Sequence, residues 1–215
     1  MPEKLYFELP TDKGDLVIPE YSPINYEVEV DVYQWNINEA VVIIVGKWWT
    51  TTWYLNKYVS IATNLVDTYW VNVFVVGNPW ISWDDPELFM DCAIKFIEDK
   101  MCDFWFQNFG MKIMWFSAWW HFTWRFAYKY PEIHAILLIN PVLRQNFEEL
   151  KEGLNSFEDK ITIVQWNKDA DFPFNSLLSQ ISKAKLVVLD GVDHQFTHEW
   201  GLDLFISLPE KYLFT

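Results

Sequence analysis

Apolar runs rich in β-branched residues alternate with helical patterns along this chain, and that alternation restricts the fold more than any other feature. Apolar residues at three-and-four spacing between the runs predict helices. Strands separated by helices predict an α/β fold, a mostly parallel central sheet with helices on both faces. An earlier segment alternates apolar and acidic residues, which indicates a half-exposed strand at an antiparallel edge. The predicted strands are 26–33, 41–45, 71–76, 112–116, 135–139, 161–165 and 185–189. The predicted helices are 53–68, 86–109, 118–130, 144–157, 173–182 and a last one from about Glu199.

Length and charge limit the kind of protein. A chain of 215 residues is expected to form one domain, residues 1–215, with a substantial core. The net charge of −14 argues against non-specific binding to nucleic acid or to an anionic membrane surface. The sequence has neither a leader-like start nor an apolar run of about 18 residues, so we expect no export signal and no membrane span.

The two cysteines fall in one predicted helix. Cys92 and Cys102 are ten residues apart, which is roughly 15 Å along a helix axis. A disulfide requires Cα atoms within about 7 Å, so we expect two free thiols, buried as small apolar side chains. Free thiols and the lack of a leader favour the cytoplasm.

Three chemically complementary side chains follow predicted strands. Ser117 comes directly after run 112–116, at the start of a helix, where backbone N–H groups can receive a developing oxyanion. Asp169 and His194 follow the last two strands, and function in such sheets lies at the carboxyl ends of the strands. A serine hydroxyl needs a histidine to take its proton and a carboxylate to orient that histidine. The sequence therefore predicts a catalytic triad.

The order serine, acid, histidine and the turns around it resemble the α/β-hydrolase family. The segment WFSAW at 115–119 corresponds to the family's elbow, and VVIIVGK at 41–47 corresponds to its oxyanion strand and turn. The resemblance implies oxyanion donors at the backbone N–H groups of Ala118 and Lys47. It also implies an acyl-enzyme mechanism on a small ester, thioester or related acyl compound, without metal or cofactor. The stretch 141–160 is too short for a large lid domain.

Other candidate residues have simpler interpretations. Asp171 is an alternative acid close to Asp169. His121, His134 and His198 are interpreted as surface, core or cap residues. No set of histidine, cysteine and acidic residues has the spacing of a metal site.

The family elbow is G-x-S-x-G, yet both glycine positions are tryptophan here, Trp115 and Trp119. The chain has 7 glycines, where an average composition would give roughly 15, and it has 14 tryptophans. Other tryptophans also stand where the family or a helix end calls for glycine or a small residue. These are Trp48, Trp49, Trp53, Trp70, Trp80, Trp105, Trp120, Trp124 and Trp166.

This pattern suggests that much of the tryptophan is glycine in the functional protein. The codon UGA is read as tryptophan in some genetic codes and as glycine in others. Two hypotheses of function follow. The first is a serine hydrolase, with acyl transfer to another acceptor as a variant. The second is an inactive hydrolase-fold protein that binds a ligand or partner, because large side chains at the elbow are overpacked.

Overall fold

The computed structural model describes residues 2–9, 27–46, 51–77, 86–116, 124–141, 147–169, 172–191 and 199–215. The strands in these ranges are β1 (Glu3–Glu8), β2 (Glu27–Tyr33), β3 (Glu39–Ile44), β4 (Asn72–Val76), β5 (Gly110–Phe116), β6 (Ile133–Ile139), β7 (Lys160–Trp166) and β8 (Ala184–Leu189). The helices are α1 (Trp53–Tyr69), α2 (Pro86–Asp103), α3 (Phe147–Ser156) and α4 (Glu199–Leu213). Two 3₁₀ helices span Trp124–Lys129 and Phe172–Gln180.

All of these strands belong to one eight-stranded sheet, in the order β1-β2-β4-β3-β5-β6-β7-β8. From β4 to β8 the neighbouring strands pair in parallel, whereas β1 with β2 and β2 with β4 pair antiparallel. This confirms the predicted α/β class. The expected edge position of the acidic strand is wrong, because β1 covers β2 and becomes the edge. The short, charged sequence EKLYFE of β1 gave no strong strand signal.

Two apolar layers cover the sheet, one on each face. One layer includes α2 and α3, and the other includes α1 and α4. Strands β3 to β7 lie between them and are buried almost throughout, which explains their continuous apolar sequences. Twenty residues connect β6 to β7, and their described part holds the ten-residue helix α3, so the connection is too short for a large lid domain.

Two helices end in backbone geometry that favours glycine. Trp70, after α1, has φ 60°, and its N–H donates to the Val66 carbonyl at 3.0 Å, the αL capping motif. Trp105, after α2, has φ 71° and completes a Schellman motif, in which it donates to Cys102 while Phe106 donates to Met101. The predicted helix 86–109 is therefore too long, since this cap ends α2 at residue 103.

Some local expectations need correction. Segment 172–180 is a 3₁₀ helix, where an α-helix over 173–182 was predicted. The thiols of Cys92 and Cys102 form no disulfide, as expected. They are not both buried, however: Cys92 is half-buried and Cys102 is exposed, because Cys102 lies in the last turn of α2.

Candidate active site

The sheet changes its direction of winding between β3 and β5. From β3 the chain adds β4 on one side, and it then returns to add β5 on the other. The two strands pair in parallel with Ile44 opposite Trp115, so their carboxyl ends lie side by side. A crevice outside the carboxyl ends of strands at such a switch point is the usual ligand site of α/β sheets.

The predicted nucleophile and one oxyanion donor belong to the segment after β5, and the other donor belongs to the segment after β3. Ser117 follows Phe116, the last residue of β5, and Lys47 follows the described Gly46. Several predicted or alternative site residues lie outside the described residues, so their roles stay predictions. They are Lys47, Ser117, Ala118, His121, Asp171, His194 and His198.

Asp169 is the member of the predicted triad that the structure describes. It lies at the carboxyl end of β7, and it is 5% exposed. Its N–H donates to the Trp166 carbonyl at 3.1 Å, and its carbonyl accepts from the Phe172 N–H at 3.1 Å. These bonds hold the acid in a tight turn between β7 and the second 3₁₀ helix, at the same edge as the end of β5.

The turn after β3 is held by a buried tyrosine. The Gly46 N–H donates to the Tyr58 hydroxyl at 3.2 Å, and the Val45 N–H donates to the Val76 carbonyl at 3.1 Å. Complete burial raises the pKa of Tyr58, so its phenol stays protonated. Helix α1 thereby fixes the turn that leads to Lys47.

The neighbouring residue on α1 is a buried lysine. Nζ of Lys57 lies 4.0 Å from the centroid of the Phe116 ring, 4.7 Å from that of Phe205 and 5.1 Å from that of Tyr58. Burial lowers the pKa of Lys57 to about 7. The amine therefore lies beneath the residue that precedes Ser117. A lysine on the apolar stripe of a predicted helix is a signal that could have marked it.

Two asparagines tie neighbouring strand ends together at this edge. Asn140, after β6, has φ 48°, and its Oδ1 accepts from the buried Trp166 N–H at 3.0 Å. Asn167, after β7, bonds through its side chain to Asp190 and Gly191, after β8. Neither asparagine is a sequence-predicted site residue, since bonds across loops leave no periodic pattern. The Asn-Pro pair at 140–141 was the one local sign.

The first elbow tryptophan lies inside the sheet. Trp115 is the sixth residue of β5, is 4% exposed and packs in the layer that includes α2. Its backbone is extended rather than left-handed, so glycine is not required there by φ. Its Nε1 is buried and has no hydrogen-bond partner among the described residues. The conflict at position 115 is therefore one of space and of an unpaired donor, not of backbone strain.

The remaining sequence candidates do not form a second site. His134 lies in β6, with Nε2 3.7 Å from Glu39 at the opposite, amino end of the sheet. In the part of the chain that the structure describes, no group of three histidine, cysteine or acidic side chains could hold a metal ion. Within the same ranges, every helix is too short or too polar to cross a bilayer.

No family model matches the chain, and no curated protein matches its sequence. Solved structures do match. Dienelactone hydrolase from Anabaena variabilis shares 10% identity at a TM-score of 0.69, with 99% of this chain and 97% of that chain covered. The esterase domain of a Rhodothermus marinus protein shares 12% at 0.67, with 99% of each covered. An alpha-beta serine hydrolase homologue from Coxiella burnetii shares 14% at 0.64, with 87% and 92% covered.

These similarities define the class of protein. The chain has the α/β-hydrolase fold, as the resemblance in its sequence implied. The matched structures are named as hydrolases and esterases, and Asp169 of this chain lies after a strand of the same fold.

Proposed function

We propose that this protein is a serine hydrolase that acts on a small ester, thioester or related acyl compound. Ser117 attacks the acyl carbon, His194 takes and returns the proton, and Asp169 orients His194. The backbone N–H groups of Ala118 and Lys47 stabilise the oxyanion. Water then releases the acyl group from Ser117.

One observation carries this proposal: Asp169 is buried at the carboxyl edge of the sheet. The nucleophile is expected at the same edge, after β5, where the sheet changes its direction of winding. Strands lie about 4.8 Å apart, so the ends of β5 and β8 are separated by roughly 14 Å. His194 is five residues beyond Leu189, and five residue steps span up to about 17 Å when the chain is extended. The segment after β8 can therefore bring His194 back towards Asp169 and Ser117.

Several further parts of the proposal rest on the chain as a whole. One sheet takes strands from residue 3 to residue 189, which supports a single domain over residues 1–215. The two cysteines of α2 form no disulfide, which favours a reducing compartment, so we place the enzyme in the cytoplasm. We expect a small-molecule substrate and no resident metal or cofactor.

A fluorophosphonate probe, which labels an activated serine, tests the proposal. Two forms of the chain are compared: the printed sequence, and the Trp115→Gly/Trp119→Gly variant. We expect Ser117→Ala to abolish labelling and Asp169→Asn to slow it by about 10⁴-fold, because the wrong histidine tautomer is then favoured. The matched control is Ser156→Ala, which removes a hydroxyl bonded to the Glu152 carbonyl on α3.

The control should label at the rate of its parent. Labelling that persists in Ser117→Ala would assign the reactive serine elsewhere. A folded protein that labels in neither form would instead favour a hydrolase-fold binding protein, and the proposed reaction would be wrong.

A further inference from the structure

The side chain of Asn167 joins the two loops that carry the predicted acid and base. Its Nδ2 donates to Oδ1 of Asp190, and its Oδ1 accepts from the Gly191 N–H at 3.0 Å. The Asn167 N–H also donates to the Leu189 carbonyl at 3.0 Å. One residue therefore makes three bonds to the segment that leaves β8.

These bonds lie close in sequence to both the predicted acid and the predicted base. Asn167 is two residues before Asp169, and Gly191 is three residues before His194. Gly191 has φ 87°, a left-handed conformation that glycine adopts without strain, so the chain turns sharply there. The bonds thus fix the direction in which the chain sets out towards His194, relative to the turn that holds Asp169.

The turn of Asp169 is also held from its other side. Oδ1 of Asn140 accepts from the Trp166 N–H, and the Asn140 N–H donates to the Val164 carbonyl at 2.8 Å. Residues 166–169 are therefore held on one side by Asn140, after β6, and on the other by the bonds of Asn167 to the end of β8. Buried groups thus fix the turn of Asp169 relative to β6. The bonds of Asn167 fix the same turn relative to the segment after β8.

We propose that Asn167 is a positioning residue that sets the geometry between Asp169 and His194. This inference rests on the proposed function. A catalytic pair must be held within about 0.5 Å of its productive geometry, whereas a partly exposed hydrogen bond contributes little to stability. Loss of Asn167 should therefore reduce the reaction far more than it reduces folding.

The first test is Asn167→Ala, in whichever form of the chain labels with the fluorophosphonate. We expect kcat for p-nitrophenyl acetate to fall about 100-fold with little change in KM, since misplacement by about 1 Å has effects of this size. The acid limb of the pH profile of kcat/KM should move to lower pH, because a displaced Asp169 raises the pKa of His194 less.

Asn155→Ala is the matched control. Asn155 also bridges two elements through both side-chain groups, accepting from the Ser182 N–H at 3.2 Å and donating to the Gln180 carbonyl at 3.5 Å. Asn155 lies in α3, and its partners precede the start of β8, at the opposite, amino edge of the sheet. We expect both variants to lose a similar few degrees in Tm, and only Asn167→Ala to change kcat and the pH profile.

A charge exchange gives the sharpest arm of the experiment. Asn167→Asp places a carboxylate against Asp190 and removes the donor, so it should be at least as damaging as alanine. Asn167→Asp/Asp190→Asn restores the bond between the two side chains with donor and acceptor exchanged, and it keeps an acceptor for the Gly191 N–H, so it should recover at least tenfold in kcat. Unchanged kinetics in Asn167→Ala, or no recovery in the double variant, would overturn the inference alone. A parent protein that never labels would overturn the proposed function instead.

Discussion

Two pairs of tryptophans in this fold differ in backbone conformation and in burial. Trp70 and Trp105 lie at helix ends with left-handed backbone, and they are 59% and 92% exposed. Trp115 and Trp166 lie in extended strands and are buried in opposite layers of the core. The first pair has unfavourable backbone geometry and few contacts, and the second has ordinary geometry and dense contacts.

The difference shows where glycine is specified by the backbone and where only by space. A non-glycine residue in the left-handed region costs about 1–2 kcal/mol. An exposed indole buries too little apolar area to offset that cost. At the strand ends no such cost exists, and the core has accommodated both indoles. The hypothesis that tryptophan stands for glycine is therefore supported by backbone geometry at the helix ends, and at the elbow it needs a test of packing.

The largest expected effect concerns the layer that contains Trp166, because the same layer holds Lys57. The pKa of Lys57 is about 7 in the folded protein and 10.5 in the unfolded chain. Between these values the unfolded chain binds a proton that the folded protein has released, so stability rises with pH from about 7 to 10.5. We expect Lys57→Met to raise the free energy of unfolding at pH 7 by up to about 5 kcal/mol.

Chemical denaturation between pH 7 and 10.5 measures this effect. In Lys57→Met the stability should lose most of its dependence on pH, since the buried titrating amine is gone. Lys211→Met is the control, because Lys211 is exposed on α4. If the stability of parent and Lys57→Met changed with pH to the same extent, water would reach this layer more than its packing indicates. The contrast between the buried and the exposed tryptophans would then weaken.

The next effect concerns the elbow. We expect Trp115→Gly/Trp119→Gly to speed fluorophosphonate labelling by roughly 5- to 150-fold, because overpacking at the turn costs about 1–3 kcal/mol. The free energy of unfolding should fall by less than the roughly 3–5 kcal/mol that truncation of a true core aromatic costs. The Nε1 of Trp115 is buried without a hydrogen-bond partner in the described part of the chain, and this offsets part of the stabilisation from its packing.

Phe74→Gly provides the scale for that comparison. Phe74 is fully buried in β4, in the same apolar layer as Trp115, and its loss should have the full cost of a core truncation. Equal losses in the two variants, without a gain in labelling, would show that Trp115 is an ordinary core residue.

Elements with a periodic or continuous apolar pattern could be predicted from the sequence. The buried parallel strands are predictable because continuous β-branched runs mark them, and the place of Asp169 at a strand end is predictable because it follows one of these runs. Strand β1 was missed because EKLYFE is short and charged. The bonds of Asn167 and Asn140 were missed because they join loops that are far apart in the chain. Their partners become visible only when β6, β7 and β8 lie side by side.

The smallest effect concerns the helix ends, and it separates backbone strain from loss of the indole. Trp70→Gly and Trp105→Gly should each raise the free energy of unfolding by about 1 kcal/mol, because glycine adopts positive φ without strain. Trp70→Ala and Trp105→Ala remove the indole but keep a Cβ, so they should leave stability nearly unchanged. The two gains should add, since the residues end different helices.

Thermal and chemical denaturation of the four single variants and the glycine double variant measure these values. Equal stability of the glycine and alanine variants would show that the left-handed caps do not select glycine. The comparison between the tryptophan pairs would then lose its physical basis. The gene provides an independent reading of the same positions. Glycine caps predict UGA codons at 70 and 105, and UGG at both would assign these exposed indoles to the working protein despite their strain.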